Sequence, residues 1–522
     1  MDEKDIIKLI PKRPKGILRL VFSRFFIVLI LLSVQLFLLA LFFENLMDYV
    51  PYFTVFQIIF EVGMIIYLFN CAMDNSAKLT WLIMITIFPV LGTFLLWFSK
   101  IDAGHAMIRI RFEYLMGETH GKLKQDEEII SRPELISSGT DDLCRYLNIN
   151  GCYPIYGNTS TRYFSCGEQK YAALLKELKR AEKFIFMEYF IIDEGEMWGT
   201  ILGILKKKAE QGIEVRVMYD GMCEMSSLSY DYSKRMRNLG IKCKAFSPIR
   251  PLISTYYNYR DHRKILVIDG HVAFTGGINL ADEYVNKKER FGHWKDAAVM
   301  LRGDAVSSFT LMFLQMWNIS ETEPQWDEWL YPEHEDIPDA KGYVMPYGDC
   351  PLNGEKVGEN VYIDILYRAK SYVHIMTPYL ILDGELENAL EFAAKRGVDV
   401  KIILPGIPDK KAAYALAKTH YRSLIRAGVE IYEYTPGFVH SKVFVSDDTK
   451  AVVGSINLDY RSLYHHFECA AYMYDTECIP SIEEDFCETL KKCRKADENS
   501  IKNEKLFYKV AGGILKPFSP LM

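Results

Sequence analysis

Two stretches decide the reading of this chain: His262–Asn279, HRKILVIDGHVAFTGGIN, and His440–Asn457, HSKVFVSDDTKAVVGSIN. In each, His and Lys stand two apart, Asp follows five after Lys, and a pair of small residues leads to Asn. His262, Lys264, Asp269, Gly276, Gly277 and Asn279 match His440, Lys442, Asp447, Gly454, Ser455 and Asn457 at a constant offset, 440 − 262 = 178. At average residue frequencies one such pattern arises by chance in roughly one chain in ten thousand. Two in register mark a duplication.

The flanking sequence repeats as well. GIEVRVMYDG from Gly212 matches GVDVKIILPG from Gly397, and KFIFMEYFIIDEGE from Lys183 matches SYVHIMTPYLILDGE from Ser371. LGIKCKAF from Leu239 likewise matches AGVEIYEY from Ala427. Short β-branched runs alternate with charged amphipathic stretches, an α/β pattern. The spacing predicts helices over 171–182 and 201–211, the second stopped at Gly212, and strands over 184–192 and 214–219. Copies of roughly 180 residues are too large for a solenoid repeat and indicate two tandem domains. The divisions are 130–320 for the first, 321–340 for an acidic, Pro-containing linker read as exposed, and 341–522 for the second.

Composition alone hides the remaining region. The 522 residues carry 62 Lys and Arg against 68 Asp and Glu, a net charge of −6, which argues against a generic basic nucleic-acid binder. Yet 25–43 is uncharged, 49–73 holds Glu61 as its one charge, and 79–98 is uncharged around Pro89 and Gly92. Each stretch is long enough to span a bilayer, so residues 1–102 read as a transmembrane helical region joined to the domains by a connector, 103–129. Lys4, Lys8, Lys12, Arg13, Lys15, Arg19 and Arg24 hold the N-terminal tail on the cytoplasmic side. Three crossings would place the domains outside. Lys100, Arg109, Arg111 and eleven Cys with no CxxC pair favour the reducing side, and one re-entrant segment would reconcile the two signals. Cys144 and Cys469 read as small apolar core residues.

The repeated motif carries chemistry. His and Lys at i and i+2 share one face of a strand. ILVI and VFVS carry that strand inward, Asp falls at its turn, and the return strand ends at Gly277 or Ser455. There a backbone and the Asn279 or Asn457 amide can approach a ligand closely. If the copies pack about a pseudo-two-fold axis, two imidazoles, two ammonium groups and two amides face one site, with no metal-ligating cluster of carboxylates or thiols. Such donors suit a phosphodiester whose charge rises in the transition state. One His attacks phosphorus and the other protonates the leaving alcohol. His271, His334, His374 and His420 lack the repeated context and read as packing residues. Asp269 and Asp447 are candidates for chemistry, though a turn favours Asp for its own sake. A catalytic His needs a carboxylate on its other ring nitrogen, and Asp296 and Glu468, at equivalent places in WKDAAVML and HFECAAYM, fit that duty.

These residues resemble the phospholipase D superfamily, whose hallmark is a paired HxKxxxxDxxxxxxGxxN motif. Further stretches narrow the resemblance to bacterial cardiolipin synthases: WLIMITIFPVLGTFLLWF, MEYFIIDEG, NYRDHRKILVIDG, GGINLADEY, FGHWKD, EYTPGFVHSK, NLDYRSL and the terminal KPFSPLM. It covers nearly the whole chain. Two departures stand out: His466 occupies a place where many members have Asn, and an extra hydrophobic segment precedes the usual two.

The resemblance implies two phospholipase D-like domains, each a β-sheet flanked by helices, related by pseudo-two-fold symmetry. It implies phosphatidyl transfer between two phosphatidylglycerol molecules, giving cardiolipin and glycerol, without metal or organic cofactor. His262 would be the nucleophile and His440 the acid–base; Lys264, Lys442, Asn279 and Asn457 would hold phosphoryl oxygens, with Arg461 near the headgroup. The partners would be phosphatidylglycerol, other anionic lipids and the bilayer, with no nucleic acid; a homo-oligomer is compatible with this reading. The place would be the bacterial cell membrane, as a multi-pass protein. A phospholipase D-type hydrolase or another phosphatidyltransferase would use the same motifs. A nuclease of the superfamily would want a basic groove and no anchor, and a scaffold with a dead site would want a broken motif.

Overall fold

The structure, a computed structural model, describes residues 6–9, 33, 50–100, 103–248, 259–330, 336–337 and 340–521. Two large sheets dominate it. The first is built from β1 (Thr159–Phe164), β2 (Phe184–Tyr189), β3 (Glu214–Asp220), β4 (Lys242–Phe246), β5 (Lys264–Ile268), β6 (Val272–Gly276) and β7 (Ala298–Gly303). Their order across the sheet is β1-β7-β6-β5-β2-β3-β4. The second takes β8 (Tyr343–Asp349), β9 (Tyr372–Met376), β10 (Asp399–Pro405), β11 (Glu430–Tyr434), β12 (Val443–Ser446), β13 (Lys450–Gly454), β14 (His466–Tyr474) and β15 (Cys493–Ala496). Its order is β8-β14-β13-β12-β9-β10-β11-β15. Strand for strand, the second sheet repeats the first and adds β15 at the edge.

Each motif forms a hairpin at the centre of its sheet. All residues of β5, β6, β12 and β13 are buried, which suits their near-continuous apolar runs. Two successive left-handed residues turn each hairpin: Asp269 and Gly270 at φ 54° and 70°, Asp447 and Asp448 at φ 52° and 58°. The helices Gly167–Arg180 and Glu196–Glu210 bury apolar stripes against the first sheet, close to the expected spans.

Several expected boundaries move. The connector 103–129 holds a helix, Ala103–Thr119, whose Phe112 and Leu115 enter the core. Residues assigned to the start of the first domain belong in part to the second. Thr140 Oγ1 lies 3.4 Å from Tyr472 Oη, Lys450 Nζ donates to Ser138 O at 3.0 Å, and Arg368 pairs with Asp142 at 3.2 Å. The apolar stripe of Thr140–Gly151 has no partner in its own neighbourhood of sequence, and the second sheet supplies one. Nor is the acidic linker exposed throughout: Trp326 and Leu330 are buried, and Trp329 packs edge-on to Phe184 with ring centres 5.2 Å apart.

Three membrane crossings are not what the described residues show: no helix among them is long and apolar enough to cross a membrane. The segment 25–43 lies outside the described residues apart from residue 33. The segment 49–73 is largely one helix, Val50–Asn70, in which Gln57 donates to Glu61 at 2.8 Å. The segment 79–98 is split. Asn75–Ile87 and Pro89–Lys100 meet at Pro89, and a Cβ at Gly92 would stand 2.6 Å from Met84 O, so the chain bends sharply there. Neither helix reaches the ~20 residues a crossing needs.

Candidate active site

The two halves meet by exchanging short strands. Arg260–Asp261, just before the first motif, pairs in parallel with His466–Phe467 of the second domain. Gly437–Val439, just before the second motif, pairs in parallel with His293–Lys295 of the first. His262 N donates to Phe467 O at 2.9 Å, and His440 N donates to Lys295 O at 2.7 Å. Each motif histidine is thus held by the other domain's carboxylate-bearing strand.

The consequence is a crossed pairing. His262 Nδ1 lies 2.9 Å from both oxygens of Glu468, and His440 Nδ1 lies 2.7 Å from Asp296 Oδ2. Both carboxylates are fully buried and both imidazoles nearly so. Burial lowers His262 well below its ordinary value and brings His440 to about 4. Burial pushes the Glu468 carboxyl up, yet the His262 imidazole pulls it below the usual carboxylate range. The Nδ1 contacts leave each Nε2 for chemistry.

Around this pair the sequence candidates divide. Lys264 and Lys442 are buried, and each Nζ donates to the carbonyl oxygen of its own motif His. Burial lowers them to about 8 and about 7. Asp269 and Asp447 require a correction: both cap backbone at the far end of their strands. Asp269 accepts from the N–H groups of Glu182, Lys183 and Phe184 at 2.7–2.8 Å. Asp447 accepts from Lys370, Ser371 and Tyr372 at 2.7–2.9 Å. Five strand residues beyond Lys is roughly 16 Å away.

Gly277 and Ser455 serve the carboxylates rather than a ligand. A Cβ at Gly277 would stand 2.1 Å from Asp296 Oδ1 and 2.8 Å from His440 O, so only glycine admits that approach. Ser455 Oγ donates to Glu468 and accepts from Cys469 N. Asn279 is engaged on both sides, accepting from Ile191 N at 3.1 Å and donating to Tyr284 Oη at 2.8 Å, with one N–H left over. Asn457 Oδ1 has no partner among the described residues. Arg461 is half-buried in the short helix Tyr460–Tyr464. His374 and His420 pair with Glu483 and Glu387 in structural contacts.

Some neighbours escaped the sequence reading. Lys170 is buried and donates to Tyr189 Oη and Ile278 O; its signal is its place on the buried stripe with Leu174 and Leu178. Phe190 packs edge-on to His262 at 4.8 Å, and Trp294 lies 5.4 Å from the His440 ring. Beside the expectation of no metal-ligating cluster of carboxylates or thiols at the paired motifs stands a mixed group of two imidazoles and one carboxylate. Among the described residues, His262, His466 and Glu468 place three ligand atoms within 4.8 Å of one another. A second group, Glu359, Asp383 and Glu385, is filled by Lys356 Nζ at 3.4–3.7 Å from each.

Duplicated sheets exchanging strands around two crossed His–carboxylate pairs define a two-domain protein of phospholipase D-like type. A family model described as cardiolipin synthase, phospholipase D-like domain, matches residues 174–317 and 362–490, and the chain belongs to that family. A cardiolipin synthase of Alkalihalophilus pseudofirmus is 32% identical, over 88% of this chain and 92% of that protein. An uncharacterized protein of Streptococcus mutans is 55% identical, over 88% of this chain and 100% of that protein. Among solved structures, the phosphatidylserine synthase of Haemophilus influenzae superposes with a TM-score of 0.56 at 15% identity, covering 73% of this chain and 98% of that one, a likeness of fold.

Proposed function

We infer that this chain is a cardiolipin synthase, a phosphatidyltransferase acting on two phosphatidylglycerol molecules. The carrying observation is the crossed pairing of His262 with Glu468 and His440 with Asp296, which makes both domains necessary to one site. A phosphodiester seated between Lys264 and Lys442 puts its anion beside two imidazoles whose proton affinity burial has lowered. That anion raises the affinity again, so His440 can hold the proton it must donate.

His262 Nε2 attacks phosphorus, forming a P–N bond as the P–O bond to glycerol breaks. His440 gives its proton to the departing glycerol oxygen. Its now neutral Nε2 takes the proton from a hydroxyl of a second phosphatidylglycerol. The resulting oxygen attacks phosphorus, the P–N bond breaks, and cardiolipin forms with His262 restored. Glu468 and Asp296 hold the two rings in the tautomer with Nε2 inward. Lys264, Lys442, the free N–H of Asn279 and the Asn457 amide bind the phosphoryl oxygens, with Arg461 adding positive charge near the headgroup.

The substrate lies in a bilayer, and the surface suits membrane apposition. Val55, Phe56, Ile59, Ile66 and Phe69 stand exposed along Val50–Asn70. Purified enzyme with phosphatidylglycerol in EDTA should yield cardiolipin and free glycerol in equal amounts. Phosphatidic acid as the main product would overturn the synthase reading in favour of a hydrolase.

A further inference from the structure

We propose that His262, His466 and Glu468 form a binding site for a transition-metal ion of zinc type, and that an ion held there switches the enzyme off. The proposal rests on the placement of His262 in the active site given above.

The internal symmetry exposes the feature. Trp294 stands two residues before Asp296 and His466 two before Glu468, so the two occupy equivalent places. Trp294 covers the His440–Asp296 pair, its Nε1 3.5 Å from Asp296 Oδ2. An indole N–H has no lone pair to give a cation. His466 covers the other pair, its ring 5.4 Å from His262 and its Nδ1 3.7 Å from Glu468 Oε1. It is 8% exposed, and among the described residues neither ring nitrogen has a partner within hydrogen-bond distance, Glu468 at 3.7 Å being too far. A buried imidazole with only a long contact to one carboxylate is poorly satisfied, and a ligand that accepts its lone pair removes the cost.

The donor set fits one class of ion. Two imidazoles and a carboxylate are a zinc-type set, with a fourth position for water or a phosphoryl oxygen. Tetrahedral ligands at ~2.1 Å from zinc stand about 3.4 Å from one another. The three donors here already lie within 4.8 Å, so small side-chain rotations close the site. The ion takes the place of the proton between His262 Nδ1 and Glu468, and that proton goes to solvent. His262, bound to metal, loses electron density at the nitrogen that must attack phosphorus. The Lys264 ammonium, bonded to the His262 carbonyl, opposes the cation and keeps binding reversible.

The test uses the full chain stripped with EDTA, in detergent micelles containing phosphatidylglycerol, titrated with Zn²⁺ and, as control, Mg²⁺. Wild type should lose activity to Zn²⁺ alone and recover it on chelation. H466N should turn over at a rate comparable with wild type but need at least about tenfold more Zn²⁺ for half-inhibition. Equal sensitivity of the two, or no inhibition of wild type, overturns the proposal. Visible absorption of bound Co²⁺ reads the site without turnover: a band in wild type that is lost in H466N and in H466Q supports it, and its persistence in both overturns it. Loss of phosphatidylglycerol is the activity signal, so the outcome stands apart from whether cardiolipin or phosphatidic acid is the product.

Discussion

The two halves share one plan and differ at three positions around it, two in the residue itself and one in its partners. In both, a central hairpin presents His and Lys, and the other domain supplies the carboxylate. The first half places Gly277 against Asp296, while the second places Ser455 Oγ on Glu468. Trp294 covers one pair and His466 the other. Asn279 is tied to Tyr284, whereas Asn457 keeps an oxygen unpartnered among the described residues. The shared plan teaches that neither half-site is autonomous. The differences teach that the two histidines sit in unlike surroundings, which frees them for unlike roles.

The harshest way to test that division is to remove one histidine at a time. H262A and H440A should each lower turnover by three to four orders of magnitude, measured as cardiolipin formed. Their intermediates should differ. Phosphatidylglycerol labelled at phosphorus should leave label on denatured H440A, which keeps its nucleophile, and none on H262A. Label on H262A alone would reverse the roles; full activity in either variant would sink the two-histidine mechanism.

A milder break cuts the crossed pairing and leaves the histidines. E468Q and D296N should each cost on the order of 10²-fold in kcat by losing the tautomer that keeps Nε2 free, with KM little changed. Glu468 carries a second bond from Ser455, so S455A should lower kcat less than E468Q does. If E468Q impaired only stability and left kcat intact, the positioning role would fail.

The lysines predict a pH limb. Burial lowers Lys442 to about 7 and Lys264 to about 8, from an ordinary 10.5. Each is charged below its value and neutral above it, so phosphate binding is strongest at low pH and weakens as pH rises through 7–8. The initial rate over phosphatidylglycerol concentration should therefore fall about tenfold per unit between pH 7 and 8 and about a hundredfold per unit above 8, where both lysines are neutral. K442R, charged throughout, should remove the lower of the two steps. A flat profile to pH 9 in wild type would mean that the ammonium groups do not bind the substrate anion.

Much of this was legible in the sequence, and the gaps have physical causes. The offset of 178 residues located both hairpins and both histidines, and the similar contexts WKDAAVML and HFECAAYM located both carboxylates, because strand periodicity and a duplicated motif survive without any knowledge of packing. The crossing of His262 to Glu468 was not legible, since it depends on strand exchange between domains far apart in sequence. Small residues such as Gly277 and Ser455 mark close approach, but sequence does not say to what. The break at Pro89 was invisible to a count of apolar residues, which measures hydrophobic length and not helix continuity. Order along the chain puts Thr140–Gly151 in the first domain, yet the helix meets the second sheet, Thr140 Oγ1 lying 3.4 Å from Tyr472 Oη.

The smallest effect separates motif membership from catalysis. Asp269 and Asp447 belong to the repeated motif as firmly as the histidines, but each spends its carboxylate on three backbone N–H groups at a strand entry. Both sit at positive φ, which Asn also tolerates, so D269N and D447N test the hydrogen bonds without adding backbone strain. Each change keeps one oxygen for the two N–H groups at Oδ1 but sets an NH2 donor against the third N–H, at Oδ2, in a half-exposed turn, a loss worth about 1 kcal/mol or more. Thermal unfolding should shift down by about 2–4 °C for either variant, with kcat and KM unchanged at a temperature where both remain folded. The two shifts should match, since the two turns carry the same three-bond cap. A fall in kcat with no shift in unfolding would restore these carboxylates to the chemistry. Unequal shifts would mean that the Gly270 and Asp448 turns, φ 70° and 58°, are not equivalent in the strain they carry.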